Sequence, residues 1–177
     1  HKSEIDVDLY EQNINEFIVD KTGSILSSIE SSNSDNYTIY QSRENDKVTG
    51  YAIPIAGKGL WGTMYGYFAI EPDAETVKGI TFYRHKETPG LGAEVDKEWF
   101  QNNFIGKKLI DTNGSLVSVE VVKGYVSSTD PKSMHKVDGI SGATITGKGL
   151  TTFLKNDLQK YEPYLSKVRK LNQIESL

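Results

Sequence analysis

The sequence predicts an α+β fold in which mostly antiparallel central strands are flanked by N-terminal and C-terminal helices. Strand-like segments follow one another in the middle of the chain, without the regular alternation with helices that a parallel sheet requires. Apolar residues recur at helical spacing near both ends. The chain has 177 residues, of which 37% are hydrophobic and 25% are charged. A chain of this size and composition can bury a core without a disulfide or a metal.

The N-terminal helix is predicted from the apolar residues of 7–29, which include Leu9, Ile14 and Phe17. These residues recur at near-helical spacing, as on one face of an amphipathic helix. Gly23 interrupts the pattern, so we expect one helix followed by a short second turn. The polar stretch after it is typical of a loop.

The central strands are predicted from short runs of β-branched and aromatic residues bounded by turn residues. Their predicted spans are 37–42, 48–55, 63–70 and 77–83. The dipeptide Asn45-Asp46 provides a hairpin turn between the first two strands. The sequence therefore indicates an antiparallel meander.

The C-terminal half is predicted to be mainly helical. A helix over 93–103 would place Val95, Trp99 and Phe100 on one face. The further predicted elements are a strand over 116–122, a helix over 144–157 and a helix over 161–172 with Pro163 near its first turn.

Composition excludes several classes of function. The net charge is −4, so no overall basic surface for nucleic acid is present and no nucleic-acid partner is expected. The chain has no cysteine and three scattered histidines. Disulfides, thiol catalysis and iron–sulfur ligation are therefore excluded, and no metal site is predicted.

Two glycine-rich segments resemble phosphate-binding motifs without completing them. Residues 57–62 fit G-x-G-x-x-G, but an aromatic, strand-like run follows where a dinucleotide-binding helix would begin. Residues 142–149 nearly fit the phosphate loop, but Gly149 stands where a magnesium-binding hydroxyl is required. Small residues, hydroxyls and a helix start still favour an anion here. A loop-based phosphate or nucleotide binder is therefore kept as one alternative.

The second segment also carries a family resemblance. Residues 138–146 fit the pattern D-x-x-[ST]-G-A-[ST]-x-[ST]. Three further motifs precede it in the same order as in the family: GLWG at 59–62, ETPGLG at 87–92 and VVKG at 121–124. Together they resemble the FMN-binding domain family over about residues 47–170. The resemblance divides the chain into an N-terminal helical, membrane-proximal segment, 1–46, and an FMN-binding domain, 47–177.

The resemblance implies an electron carrier with one covalently bound FMN. It is strongest to the branch found in membrane NADH:quinone oxidoreductases that pump Na⁺. The sister branch, in the Rnf ferredoxin:NAD oxidoreductase complex, is the alternative. Family members work with other subunits of their complex, and a flavin transferase attaches the FMN. They are held at the cell inner membrane by an N-terminal anchor helix, with the flavin domain on the periplasmic side. The chain begins at His1, so we expect a shortened chain without that anchor.

The phosphate end of the implied site lies at 141–146. In the family the hydroxyl after the alanine carries FMN through a phosphoester bond, and here that residue is Thr144. Gly142 and Ala143 complete the motif. Ser141 and Thr146 flank it, and either could bind the phosphate, although Ser141 could instead cap the following helix. A helix starting at this point would stabilise the phosphate charge.

The flavin ring needs apolar faces and a few polar groups. The motifs that carry the resemblance supply six candidates: Trp61, Glu87, Thr88, Leu91, Gly92 and Lys123, the last as a cation near the flavin that would favour its reduced, anionic forms. Leu91 would lie against the ring, Glu87 would accept from ring or ribityl donors, and Thr88 would offer a hydroxyl and an N–H. Each residue also has an ordinary structural interpretation: Trp61 as a core residue, Lys123 as a solvated strand lysine, and 87–92 as a tight turn.

A different class of protein is the other alternative, a non-enzymatic assembly module that has lost its flavin. The presence of Thr144 argues against it, because such a module has no need of the acceptor hydroxyl. We also expect the isolated domain to catalyse no turnover, since the enzyme is the complex.

Overall fold

A computed structural model describes residues 12–27 and 35–175 and shows a five-stranded antiparallel sheet. The strands lie in the sheet in chain order, each paired with the next. They are β1 (Ile14–Val19), β2 (Tyr37–Glu44), β3 (Lys47–Lys58), β4 (Thr63–Ile70) and β5 (Val77–Arg84). The predicted α+β class and the four predicted central strands are confirmed.

The remaining elements follow the sheet in the chain. They are a 3₁₀ helix (Gly92–Asp96), α1 (Glu98–Asn102), β6 (Glu120–Val121), a 3₁₀ helix (Ser133–His135), β7 (Lys136–Val137) and α2 (Thr144–Glu175). Strands β6 and β7 form a short parallel pair. The long helix α2 packs on β3 and β6, so the sequence from 120 to 146 is held beside one end of the sheet.

The alternating side-chain pattern of the strands places the core between the sheet and α2. In β4, Met64, Phe68 and Ile70 are fully buried, whereas Tyr67 on the opposite face is exposed. The buried side of the sheet meets apolar residues of the helix such as Leu154. The predicted hairpin turn is confirmed: Asn45 and Asp46 both have positive φ, as a two-residue type I′ turn requires.

The predicted N-terminal helix is wrong from Ile14 onward, although residues 12–13 are helical. Residues Ile14–Val19 form strand β1, paired with β2, and the rest of the predicted helix lies partly outside the described residues. Ile14, Phe17 and Ile18 fit helical spacing, but Phe17 and Val19 also fit the alternation of a strand with one buried face. Strands β2 and β3 lie on either side of residue 46 in the chain and pair with each other. The division into two domains at this position stays a prediction.

The two predicted C-terminal helices are one continuous helix, α2, with Pro163 inside it. Packing of the residues that follow the proline holds this part of the helix in place. The Tyr164 ring contacts Phe17 and Tyr51, and the Lys167 ammonium donates to the Gly23 carbonyl at 3.0 Å. Tertiary contacts therefore override the tendency of proline to end a helix.

Two further predicted elements are shorter than expected. The helix predicted over 93–103 is divided at Lys97, whose backbone is extended, and Trp99 is 48% exposed rather than buried with Phe100. Of the strand predicted over 116–122, only Glu120–Val121 is formed. Ser118 has a φ of 68°, in the left-handed region, and this residue interrupts the extended backbone just before β6.

Close contact between α2 and the end of β3 depends on glycine. A Cβ at Gly149 would overlap the Lys58 carbonyl oxygen. We predict that Gly149→Ala destabilises the fold by about 1–3 kcal/mol, because backbone must move to admit the methyl group. In an unconstrained helix the same change stabilises by about 1 kcal/mol, so the sign of the effect is diagnostic. Chemical denaturation measures it. Gly79→Ala is the control, because a Cβ there meets nothing within 4 Å; equal losses in both variants would contradict the prediction.

Candidate functional site

Three segments meet at the start of α2 around one carboxylate. The segments are the turn 59–62, the loop 87–92 and the residues before and within the first turn of α2. The Glu87 carboxylate accepts hydrogen bonds from the Trp61 N–H at 2.9 Å, the Leu60 N–H at 3.2 Å and the Thr146 hydroxyl at 2.6 Å. Glu87 therefore connects all three segments.

The surroundings of Glu87 leave little free space. Its side chain is buried, and Cβ atoms at Gly59 and Gly92 would lie 2.6 and 2.5 Å from its oxygens. Burial disfavours the charged carboxylate, but the bonds from Thr146, Trp61 and Leu60 outweigh this cost and lower its pKa. Three protein donors leave few acceptor positions for a ligand. The geometry thus favours Glu87 as a residue that positions the site.

A small cavity of about 120 Å³ lies beside this carboxylate. Its walls contain eight of the eleven residues selected from the sequence: Trp61, Glu87, Thr88, Leu91, Gly92, Gly142, Ala143 and Thr146. Leu60 completes the lining and was not selected. The exposed surface of the cavity is mostly apolar, and the side chains of Trp61 and Leu91 are exposed at its edge. An aromatic ring could lie against these side chains without displacing the core.

A larger cleft of about 390 Å³ adjoins the small cavity through Gly142. It contains the three remaining selected residues, Lys123, Ser141 and Thr144. Its volume lies in the usual range of small-molecule sites, about 300–1,000 Å³. Tyr125, 88% exposed, also lines the cleft and was missed in the sequence. Its position next to the motif at 121–124 is the signal that could have found it.

The wall that carries Lys123 is fixed by hydrogen bonds on both sides. The Gly139 N–H donates to the Gly124 carbonyl, and the Val126 N–H donates to the Asp138 carboxylate, each at 2.7 Å. Strand β6 is also held to α2, because the Val121 N–H donates to the Thr151 hydroxyl at 2.9 Å. Lys123 is exposed between these anchors. Its ammonium can therefore reach a ligand in the cleft.

The opposite wall is the N-terminus of α2, which begins at Thr144. The first N–H groups of a helix have no acceptor within the helix, and they favour an anion. Thr144 is half-buried and Ser141 is exposed, so the two hydroxyls can face a ligand. Gly142 has a φ of 75°, and a Cβ there would lie 2.7 Å from the Leu91 side chain. The glycine therefore allows Leu91 to lie close to the backbone where cleft and cavity adjoin.

Taken together, these features fit a cofactor with an anionic phosphate at one end and a flat aromatic ring at the other. Hydroxyls, the helix N-terminus and a lysine suit the phosphate. The apolar cavity and its exposed side chains suit the ring. A magnesium nucleotide fits poorly, because the Gly149 position has no space for the hydroxyl side chain that a phosphate loop requires.

The chain belongs to the family described as FMN-binding domain, which it matches over residues 59–159. Among its relatives is a protein of Pseudomonas aeruginosa, named as the C subunit of the Na(+)-translocating NADH-quinone reductase. The two are 41% identical over 135 residues, which cover 75% of this chain and 51% of that protein. The protein of the same name from Chlamydia muridarum is 44% identical over 131 residues, or 68% of this chain and 41% of the relative. The chain thus spans about half the length of these relatives.

Solved structures of proteins with this name have the same fold. The crystal structure of the protein from Parabacteroides distasonis is 33% identical, with a TM-score of 0.79 over 90% of this chain and 82% of that one. The crystal structure of NqrC from Shewanella oneidensis is 26% identical, also with a TM-score of 0.79, over 93% of this chain and 88% of that one. Among residues 12–27 and 35–175, no helix has both the length and the apolar character needed to cross a membrane.

Proposed function

We propose that this chain carries one FMN, bound covalently through a phosphoester to the Thr144 hydroxyl. In this proposal it relays electrons as a subunit of a membrane NADH:quinone oxidoreductase that pumps Na⁺. One observation carries it: Thr144 begins α2 on the wall of the 390 Å³ cleft, next to the apolar cavity. Family membership and the names of the relatives support it.

At the phosphate end, the chain supplies charge stabilisation. A phosphodiester at Thr144 keeps one negative charge, which the free N–H groups at the start of α2 and their dipole stabilise. Lys123 adds a positive charge from the opposite wall, and Ser141 adds a hydroxyl. Attachment also keeps a weak site filled, because a tethered ligand has an effective concentration of roughly millimolar.

At the ring end, the chain supplies an apolar support. FMN, when bound, supplies one- and two-electron redox chemistry. Leu91 and Trp61 contact one region of the ring in this proposal, Thr88 provides polar contacts, and Gly92 and Ala143 allow close approach. Glu87 holds the turn that carries Trp61 and the helix that carries Thr144 in one arrangement.

An external flavin transferase is part of the proposal, because a threonine hydroxyl needs activation before it attacks a phosphate. The nearest histidine in the sequence, His135, has its Nδ1 atom 2.7 Å from the Lys108 carbonyl oxygen and is thus held in a structural contact. The other proposed partners are the remaining subunits of the complex. The proposed location is the periplasmic side of the cell inner membrane.

The experiment is an intact-mass measurement on the denatured chain after coexpression with a flavin transferase, followed by peptide mapping. A mass gain equal to FMN minus water on the peptide that contains Thr144 is expected. An unmodified chain, with the transferase active on a second substrate, would instead support an assembly module without flavin. If the chain takes up flavin but forms no covalent bond to it, the proposed phosphoester is rejected and the proposed binding site is retained.

Leu91→Ala tests the ring end separately. We predict that this variant still acquires covalent FMN, because the change leaves the Thr144 hydroxyl in place. Its visible absorption and fluorescence should shift, because water gains access to the ring where Leu91 is 41% exposed at the cavity edge. Absorption spectra of the purified, loaded protein measure this. A spectrum identical to that of the parent chain would remove Leu91 from the flavin site.

A further inference from the structure

The side of the sheet that faces away from α2 carries an aromatic face, defined by Tyr40, Tyr65, Tyr67 and Tyr83. The strand register places these four side chains on the same side of β2, β4 and β5, with the small residues of β3 between Tyr40 and Tyr67. Ring centroids lie 5.9 Å apart for Tyr40 and Tyr67, 5.6 Å for Tyr67 and Tyr83, and 6.3 Å for Tyr65 and Tyr83. The four rings thus form a continuous surface.

The centre of this face has no charge. The positions on it from 52 to 56 in β3, 65 to 69 in β4 and 79 to 83 in β5 hold only Ala, Pro, Tyr, Gly and Thr. The solvent side of an antiparallel sheet usually carries polar residues, charged ones among them. A centre rich in aromatic residues and poor in charge is instead typical of the buried part of a protein interface.

Charged residues lie around this centre: Glu16 borders it beside Tyr40, its partner across β1 and β2, and basic residues lie at the end that carries Tyr65. Arg84 stacks over the Tyr65 ring at 4.0 Å, and Lys58 and Lys86 are exposed at the same end of the sheet. Asp96 there is already paired with His85 at 2.7 Å. This end is therefore basic, although the whole chain has a net charge of −4. A partner with acidic residues would be favoured at this end.

The basic end is continuous with the candidate flavin site. Trp61, 65% exposed, lines the small apolar cavity and also a second depression formed with Tyr65, Arg84 and Lys86. A protein that covers the aromatic face would consequently come close to a flavin ring lying against Trp61. This continuity distinguishes the face from an apolar patch elsewhere on the surface.

The area of the aromatic face indicates whether its partner binds permanently or transiently. Four strands about 4.8 Å apart and about six residues of 3.3 Å along each give a flat patch of roughly 400 Å². Counted on both partners, this is about 800 Å², which is less than the 1,200–2,000 Å² of a stable dimer and within the range of electron-transfer encounters, below about 1,200 Å². The aromatic face fits the second class.

We propose that the aromatic face is the docking surface for a transient electron-transfer partner. That partner is a redox protein of the same complex, with an apolar patch bordered by Asp and Glu residues that meet Arg84, Lys58 and Lys86. The inference rests on the proposed function, because the partner exchanges electrons with the FMN. The docking proposal extends the proposed function by stating where the partner binds and which residues the partner's surface must contain.

Photo-crosslinking in cells that assemble the full complex tests this. Benzoylphenylalanine replaces Tyr83 in one variant and Thr81 in another, and Trp99, an exposed aromatic residue on α1, is the matched control site. Adducts with a flavin- or metal-carrying subunit are expected from Tyr83 and Thr81, at peptides containing Asp or Glu. Their yield should exceed that from Trp99 about tenfold and fall about tenfold with Arg84→Glu and Lys86→Glu combined.

The docking proposal would be overturned by adducts with a second copy of this chain, by adducts within the same chain, or by equal yields from all three sites. The mass of each chain is measured in the same samples. A chain that carries FMN but gives no adduct with a redox subunit rejects the docking surface alone. A chain that forms the adduct without FMN rejects the proposed function and keeps the surface.

Discussion

Thr144→Ala is expected to reduce covalently bound flavin from stoichiometric to undetectable while leaving the domain folded. The change removes the only oxygen of this side chain that could form the phosphoester. Thr144 is half-buried at the first position of α2, and alanine is a strong helix former, so the expected change in unfolding free energy is within about 0.5 kcal/mol. Intact mass after coexpression with the transferase measures attachment, and circular dichroism measures folding.

Two companion variants make this result specific. Thr144→Ser retains a hydroxyl at the same place and should recover attachment. Thr152→Ala removes a hydroxyl on the same helix, one that donates to the Lys148 carbonyl, and should leave attachment unchanged. A flavin still linked covalently in Thr144→Ala would show that another hydroxyl, such as that of Ser141, is the acceptor.

The meander could be predicted because its signals are local. Alternating burial in β4 and the Asn45-Asp46 turn are readable from neighbouring residues, and the structure confirms both. Strand β1 could not be predicted in the same way, because its spacing fits two periods and its pairing with β2 is non-local. The continuity of α2 across Pro163 likewise depends on packing against Phe17 and Gly23, which are distant in sequence.

Sequence motifs located the residues of the candidate site but not their arrangement. All eleven selected residues line the two adjoining cavities, although each motif was read separately. The role of Glu87 was not readable, because two of its three donors are backbone N–H groups of a turn 26 and 27 residues away. Side-chain patterns carry no information about such backbone donors. Tyr125 was missed for a related reason, since it enters the cleft through the folding of the loop around Gly124.

Glu87→Gln is expected to be the most destabilising conservative change in the site, by about 2–3 kcal/mol near neutral pH. The buried carboxylate accepts three hydrogen bonds, and bonds to a charged group contribute about 1.5–3 kcal/mol. An amide has one acceptor oxygen, and its NH₂ group would face donors from the protein. The turn that carries Trp61 should loosen, so flavin fluorescence in the loaded protein should also change.

The pH dependence separates this role from simple loss of packing. The pKa of Glu87 is lowered in the folded chain, so its contribution to stability is present above the unfolded pKa of about 4.3. That contribution is lost as the pH falls through the folded pKa. The difference in unfolding free energy between the parent chain and Glu87→Gln should therefore be largest near pH 7 and shrink below about pH 4. Denaturation across this range measures it. Glu94→Gln is the control and should cost about 1 kcal/mol or less, because its partly exposed carboxylate accepts one bond, from the Trp99 N–H, and the amide oxygen of Gln can still accept it. A Glu87→Gln difference that stays constant with pH would show that shape, rather than charge, holds the three segments together.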